Sequence, residues 1–385
     1  MKTIGIICEY NPLHLGHKKQ MDQIRMEFGP DCAIVCLMSG NFVQRGAPAI
    51  VDKSLRAQAA VACGADLVLE LPITYALSSA EGFAAGGVRI LSQMCDFLCF
   101  GAENADKEIL MNLAAALLSP AFAPFLHQEL ETGKSFPAAR QTVLEKMGLP
   151  GTLLSLPNNI LAVEYCKAIL AQNSRTEAFP IHRQGNYHAE DADKDNPSAT
   201  SLRNLMLSDQ NWASYVPAQV QSLLECVPLH SLCAGEKAIL ARLRTMTDKE
   251  FESLPYGSEG LWRKFMRACR TQASLEEILA ATKSKRYTRT RLDRMVMCAF
   301  LGITAQMLAE PVPYVRVLAF NDTGRSVLKD AKKQGVFLNA GERAEHPYWE
   351  LEKRCENLYG LFCEAGIAPA GTEENRRVFY HKENA

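Results

Sequence analysis

The start of the chain alternates short, almost uninterrupted apolar runs with longer amphipathic segments. Thr3–Cys8 (TIGIIC), Cys32–Met38 (CAIVCLM), Asp66–Leu71 (DLVLEL) and Asp96–Phe100 (DFLCF) read as strands, and His17–Phe28, Ser54–Cys63 and Ala80–Met94 read as helices. A strand that is apolar on both faces must be buried on both faces. A parallel sheet with helices above and below provides that cover. The expected fold is therefore α/β, a Rossmann-like doubly wound parallel sheet. In such sheets ligands bind beyond the carboxyl ends of the strands, so chemistry is expected in the loops that follow them.

The chain has 385 residues, enough for two or three domains at about 150 residues each. From about residue 206 the strand–helix alternation stops. Trp212–Cys226, Gly235–Met246, Ser274–Ala281, Thr288–Leu301 and Tyr348–Ala365 read as helices, with a candidate strand at Pro313–Phe320. The expected organisation is a Rossmann-like part over residues 1–205 and a mainly α-helical C-terminal part over 206–385.

Composition excludes several classes. Hydrophobic residues are 48% and charged residues 22%, as in folded globular chains rather than disordered ones. A formal net charge of −1 argues against a chain that coats nucleic acid with uniform positive charge, but allows a local basic patch. No apolar run approaches the roughly 18 residues of a membrane helix, and MKTIGIICEYN lacks the apolar core of a signal peptide. A cytoplasmic chain with no membrane partner is expected. The thirteen cysteines include no CxxC; the closest pairs, Cys32/Cys36 and Cys95/Cys99, lie in apolar runs. Buried reduced thiols are expected, with no protein-caged metal.

The loop after the first strand, Glu9-Tyr10-Asn11-Pro12-Leu13-His14-Leu15-Gly16-His17, runs into a helix. A helix N-terminus favours anions. Gly16 permits close backbone approach, and His14 and His17 share one helical face. Two imidazoles beside free helix N–H groups suit a polyphosphate; two solvent-exposed histidines are the alternative. Neither GxGxxG nor GxxxxGK[ST] is present, which disfavours ordinary dinucleotide and P-loop chemistry. MSGNFVQRGAPA (Met38–Ala49) places Gly40, Asn41, Gln44, Arg45 and Gly46 after the second strand, as a substrate loop or a surface loop. Gly101 follows the fourth strand, as a turn or as a site of close ligand passage. Asn158 and Asn159 open a helix after Pro157, as caps or as ligand contacts. In NPSATSLR (Asn196–Arg203), Pro197 and Ser198 begin a helix, with Ser198, Thr200, Ser201 and Arg203 as either a cap or a second phosphate site.

The helical part concentrates cations. Lys283, Lys285, Arg286, Arg289, Arg291 and Arg294 fall within twelve residues around Tyr287, near Trp262, Arg263, Lys264, Arg267 and Arg270. The run is either a solvated helix face or an RNA contact in which Tyr287 stacks on a base.

The strand–loop–HxGH–helix unit resembles the HIGH-motif nucleotidyltransferase superfamily. The ordered set GIICEYNPLHLGH, MSGNFVQRGAPA, GADLVLELP, FGAEN, LPNNILAVEY, NPSATSLR and KRYTRTRLDR resembles the bacterial tRNA(Met) cytidine acetate ligase family. The resemblance implies a two-step reaction. ATP and acetate give acetyl-adenylate and pyrophosphate, and the acetyl group then passes to N4 of the wobble cytidine of elongator tRNA(Met). It implies His14 and His17 as the catalytic pair. For ATP it implies Ile7, Cys8, Glu9, Tyr10, Asn11, Pro12, Leu13, Leu15, Gly16 and Gln20, then Gly101, Asn158 or Asn159, Arg183, Ser198, Thr200, Ser201 and Arg203. Mg²⁺ is expected to accompany ATP rather than sit in a protein cage. NPSATSLR departs from the KMSKS signature of class I synthetases by having no lysine, so Arg203 stands where that cation would be. The resemblance also implies tRNA contact by Lys283, Lys285, Arg286, Tyr287, Arg289, Arg291 and Arg294, and a flipped cytidine near the adenylate.

Two other functions fit parts of the pattern. A nucleotidyltransferase acting on a small metabolite would need no long helical part with a basic run. A non-catalytic RNA-binding protein on the same fold would not need His14, His17 and Arg203 intact.

Overall fold

The computed structural model describes residues 1–183, 198–284, 287–333 and 346–382. Its strands are β1 (Thr3–Cys8), β2 (Ala33–Ser39), β3 (Phe42–Val43), β4 (Ala47–Pro48), β5 (Leu67–Leu71), β6 (Phe97–Ala102), β7 (Glu177–His182), β8 (Arg316–Phe320) and β9 (Phe379–Tyr380). Seven of them form one sheet in the order β7-β6-β1-β2-β5-β8-β9, while β3 and β4 make a separate hairpin. The five strands from β7 to β5 run parallel; β8 lies antiparallel to β5 and carries β9 parallel to itself. The chain lays down β1, β2 and β5 towards one side, then crosses to place β6 on the other side of β1. The loops after β1 and β6 therefore diverge, and a crevice opens between them at the carboxyl edge.

Residues 15–171 supply α1 (Leu15–Phe28), α2 (Lys53–Ala62), α3 (Ile73–Ala76), α4 (Ala80–Leu91), α5 (Lys107–Leu118), α6 (Phe122–Glu131), α7 (Phe136–Lys146) and α8 (Pro157–Ala171). Later come α9 (Ala199–Leu207), α10 (Ala218–Leu224), α11 (Leu232–Thr245), α12 (Asp248–Glu252) and α13 (Leu261–Thr271). They are followed by α14 (Leu275–Thr282), α15 (Arg289–Leu301), α16 (Ala305–Ala309), α17 (Asp322–Lys333) and α18 (Pro347–Tyr359). The period of two in β2 divides the core. Ala33, Val35 and Leu37 pack with Phe83 and Val88 of α4, Leu113 of α5 and Val163 of α8. Ile34, Cys36 and Met38 face Met21 and Ile24 of α1, Ala57 and Ala60 of α2, and Leu202 of α9. Both faces are covered, as the apolar runs require. A third core joins helices α11 to α15 and α18 to Phe42 and Leu77 of the first half.

The expected strands and helices of the first hundred residues are present, with ends shifted by up to three residues. Gly101 is a correction: it lies inside β6, paired with Ile181, not after the strand. Trp212–Cys226 is not one helix. A 3-10 turn at Ala213–Tyr215 precedes α10, and Pro217 separates them, since proline supplies no N–H for a continuing helix. The sheet also does not end at the 205/206 boundary. β8, β9 and α17 return to it from the later part of the chain, and Asn321 at their junction bonds Asp66 at the foot of β5.

All thirteen cysteines are free thiols; eleven are buried, and Cys226 and Cys233 are exposed. Among the described residues no single helix is long and apolar enough to cross a membrane. The pair α5–α6 reaches the needed length and composition only together, bent by 77° at its break.

Candidate active site

β1 ends in a loop that turns sharply before α1. Tyr10 takes a left-handed backbone conformation (φ 45°) and the Asn11–Pro12 peptide is cis. His14 is the N-cap of α1, and its Nδ1 accepts the Gly16 N–H at 3.1 Å. His17, three residues on, returns the favour of a capping box: its Nδ1 accepts the His14 N–H at 3.3 Å. Gly16 makes room for this approach: a Cβ there would stand 3.0 Å from the His14 ring, which would have to shift by a few tenths of an ångström. The two imidazoles stack with centroids 3.8 Å apart, and Tyr10 meets the His17 ring edge-on at 5.0 Å.

These bonds assign the tautomers. A ring nitrogen that accepts an N–H carries no proton, so in each neutral ring the proton sits on Nε2. Burial holds the His14 pKa down at about 3, with the Arg183 charge adding to the effect. Burial also keeps His17 well below its ordinary value, helped by His14 and Arg183. Both rings are therefore neutral Nε2–H donors at neutral pH. The His14 Nε2 is buried without a hydrogen-bond partner among the described residues. Such a group costs about 1–3 kcal/mol, and a ligand acceptor at that point would remove the cost.

β7 delivers Arg183 to the same crevice. Its N–H bonds Ala102 O at 2.8 Å, and its stem passes over Gly101, where a Cβ would lie 3.6 Å from Arg183 Cδ. Arg183 Nη1 bonds Asn158 Oδ1 at 3.3 Å. The two asparagines at the start of α8 play different parts. Asn159 is fully buried; its Oδ1 accepts Asn104 N–H and its Nδ2 donates to Leu153 O. Asn158 reaches Arg183 on one side and Glu103 on the other. Neither side chain caps α8. That is done by the Glu103 carboxylate, which accepts the N–H groups of Asn158 at 3.3 Å and Asn159 at 2.8 Å.

At α9 the serines cap. Ser198 Oγ accepts the Ser201 N–H at 3.0 Å, and both side chains are buried and bonded to each other. Thr200 is exposed and meets Arg203, whose Nη1 donates to Asn11 O at 2.8 Å. Arg203 thus ties α9 to the histidine loop. Asn196 and Pro197 lie outside the described residues. Of the loop's other candidates, Ile7 and Leu15 are half-buried, and Cys8, Tyr10, Asn11, Pro12 and Leu13 are buried. Burial pushes the Cys8 thiol well up, the neighbouring Cys36 adding to this. Glu9 accepts the Gln44 N–H at 2.8 Å, and Gln20 turns towards Cys99.

A family profile described as HIGH Nucleotidyl Transferase matches residues 1–374. The tRNA(Met) cytidine acetate ligase of Acetivibrio thermocellus is 35% identical over 361 residues, covering 87% of this chain and 86% of its own. That of Alkaliphilus metalliredigens is 34% identical, with both chains covered in full. The chain belongs to the tRNA(Met) cytidine acetate ligase family. Crystal structures of Thermotoga maritima TmcAL, 28% identical and covering both chains in full, match with TM-scores of 0.92 for the apo form and 0.89 for the form bound with α-thio ATP.

The ligase fold braces this site with groups that no motif announces. Arg56 of α2 is 1% exposed. Its guanidinium donates to the carbonyls of Glu9 (2.7 Å), Ser39 (3.0 Å), Gly40 (2.5 Å) and Val51 (2.8 Å). It thereby holds the ends of β1 and β2 together at the functional edge. Beside it Lys53 bonds Glu70 (2.9 Å) and Glu373 (3.0 Å), and Arg316 also pairs with Glu373. Arg376 pairs with Asp52, Glu356 and Glu373. This buried network ties the C-terminal segment to the loop after β2, in which Asn41 bonds both Asp52 and Glu356.

The basic run divides. Arg289 forms a bidentate pair with Glu276 (2.8 and 2.7 Å) and a third bond to Asp293. Arg291 donates to Tyr256 O and Ser258. Arg294 is 8% exposed, beneath the Tyr256 ring. Tyr287 is half-buried against Arg291 and Lys283 is exposed. Lys285 and Arg286 lie outside the described residues. The structure brings His14, His17, Asn158, Arg183, Thr200 and Arg203 to the edge near β1 and β6. It does not place Arg289, Arg291 and Arg294 there as open cations.

Proposed function

We propose that this chain activates acetate with ATP and transfers the acetyl group to N4 of the wobble cytidine of elongator tRNA(Met). The observation that carries the reading is the pair of neutral, stacked imidazoles beside the Arg183 charge, the His14 Nε2–H buried with no partner among the described residues. In the first step an acetate oxygen attacks the α-phosphorus of ATP, and the bond from that phosphorus to the α,β-bridging oxygen breaks, its electron pair leaving with pyrophosphate. His14 and His17 donate to the phosphate oxygens as charge builds there, and Arg183, steadied by Asn158, neutralises it. Fixed donors in a site that excludes water need little reorganisation at the moment of reaction. Arg203 positions the histidine loop through Asn11. In the second step the cytidine N4 attacks the acetyl carbon, AMP leaves with the C–O electron pair, and N4 loses a proton.

Asn158 is the asparagine we assign to the nucleotide, since Asn159 is consumed in packing. Mg²⁺ fits the site as a companion of ATP. Among the described residues no group of three His, Cys, Asp or Glu side chains could hold a metal, and the donors around the crevice suit phosphate rather than a cation. A phosphate-bound Mg²⁺ would offset triphosphate charge. The adenylation machinery lies within residues 1–205 and RNA contact falls to the helices after 206. The free thiols suit a cytoplasmic setting.

Incubation with ATP, labelled acetate and tRNA(Met) tests the reading. Label should appear in N4-acetylcytidine. Acetate-dependent pyrophosphate release with label in no nucleoside would overturn tRNA as acceptor, and no release at all would overturn the adenylation step.

A further inference from the structure

The cations of residues 289–294 are built into the scaffold, whereas those of α13 are not. α13 buries Leu261, Phe265, Ala268 and Cys269 in the helical core and exposes Arg263, Lys264, Arg267 and Arg270. Arg263, Arg267 and Arg270 stand four and three residues apart, so they form one row along the helix. The helix has no acidic residue. Arg270 is paired with Asp248 at 2.6 Å, and Lys264 Nζ reaches Lys283 O at 3.2 Å. Among the described residues Arg263 and Arg267 have no acidic partner. Arg263 lies against the Trp262 ring at 5.0 Å. In a chain whose net charge is −1, Arg263 and Arg267, one turn apart without acidic partners among the described residues, are a local concentration of charge that mutual repulsion disfavours.

The row is joined to the adenylation edge by a continuous set of contacts. Gln44 N–H bonds Glu9 in the loop after β1. The hairpin tip then turns at Gly46 (φ +77°), where a Cβ would stand 2.5 Å from the backbone of Asp293 and Arg294. Arg291 on the same helix end bonds Tyr256 O, and the Tyr256 hydroxyl donates to Leu77 O at 2.7 Å. The turn after Tyr256 leads through Gly260 into α13. Arg45 is exposed at the hairpin tip.

We propose that Arg263, Lys264 and Arg267 on the outward face of α13 form the surface that carries the phosphodiester backbone of the RNA substrate, in place of Arg289, Arg291 and Arg294. This rests on the reading of tRNA as acceptor. The partner follows from the chemistry. Guanidinium groups repeated along one helix face match a chain of phosphates, each contact releasing condensed counterions. Arg289, Arg291 and Arg294 act instead by fixing the helix end and the turn that orient this face.

The double variant Arg263→Glu/Arg267→Glu tests the surface, with elongator tRNA(Met) transcript as the probe. Binding is read by mobility shift over a salt series, and adenylation by acetate-dependent ATP–pyrophosphate exchange. The expected result is at least a tenfold loss of tRNA affinity, a salt dependence flatter by roughly 1.5 in log–log slope, and unchanged exchange. Equal affinity in variant and wild type, with the wild type acetylating tRNA, would overturn the surface and leave the acceptor reading standing. A wild type that performs exchange but neither binds nor acetylates tRNA would overturn both. Should the double reversal lose exchange or thermal stability, Arg263→Gln/Arg267→Gln replaces it. Loss of tRNA affinity in that folded variant supports the surface, and unchanged affinity overturns it.

Discussion

The rings of His14 and His17 stack 3.8 Å apart, each with its Nδ1 occupied by a backbone N–H of the first turn of α1. The helix cap and the proposed catalytic pair thus share the same two hydrogen bonds: those that start the helix also fix which nitrogen of each ring carries its proton. His14→Ala and His17→Ala should each reduce acetate-dependent ATP–pyrophosphate exchange by about 10²–10³, the usual cost of one transition-state donor. Far-UV circular dichroism should stay native. Normal exchange in either variant would remove that ring from the mechanism.

Because burial depresses both histidines, exchange should show no histidine titration between pH 6 and 8. The sign for stability is opposite to that of a salt-bridged histidine. The unfolded rings take up protons near pH 6.5 while the folded rings do not, so the folded state loses ground as pH falls below about 6.5. An ascending rate limb near pH 6.5 that disappears in His17→Asn would contradict the assigned neutral donors.

Asn158 and Asn159 should separate by readout. Asn159→Ala deletes two buried hydrogen bonds and should cost about 1–3 kcal/mol of stability, seen as a lower Tm. Asn158→Ala should leave Tm nearly unchanged and raise the KM for ATP about tenfold, through the loosened Arg183. The reverse pattern would exchange their roles.

Much of this was legible because apolar runs announce buried parallel strands and HxGH announces the loop between the first strand and helix. β7 was not. It lies at the sheet edge, is largely half-exposed, and contains Pro180, so it lacks the apolar run that marked its neighbours. The neighbouring asparagines differ only in which way α8 turns them. Arg56 sits in a segment that reads as an ordinary amphipathic helix, and its partners are carbonyls, which every residue has. In the basic run, sequence counted the cations correctly but did not show their partners. Glu276 and the Tyr256 carbonyl come from other elements.

Arg56→Ala should be among the most damaging changes outside the histidine loop. It strips donors from the carbonyls of Glu9, Ser39, Gly40 and Val51 at once. At about 1–3 kcal/mol for a buried unsatisfied acceptor, a loss of at least about 3 kcal/mol is expected, with exchange lost as the ends of β1 and β2 separate. Arg56→Lys reaches fewer carbonyls and should recover only part of the stability. A near-native denaturant midpoint for Arg56→Ala would show that water replaces the guanidinium.

Glu352 gives the buried network a pH signature. It lies on α18 facing Arg316, with Tyr314 donating to its carboxylate and Glu70 and Lys53 nearby; Glu356, Glu373 and the Tyr348 ring complete the surroundings. Burial pushes its carboxyl up to about 7; the Glu70 charge adds to this, while Arg316, Tyr314 and Lys53 oppose it. Between the ordinary glutamate range and pH 7 the folded chain therefore holds a proton that the unfolded chain has released, and stability falls as pH rises through that window. Asp52 does not mask the effect. Burial works against its charge, but Arg376 outweighs burial and holds the carboxyl well below its ordinary value, so its contribution is lost only in more acidic solution. Glu352→Gln keeps the shape and removes the titration. Its Tm relative to wild type should rise between pH 5 and 7.5, by up to about 3 kcal/mol of stability, a shift of a few degrees. Parallel Tm curves across that range would mean that Glu352 is ionised in the folded protein and that Arg316 and Lys53 carry its charge.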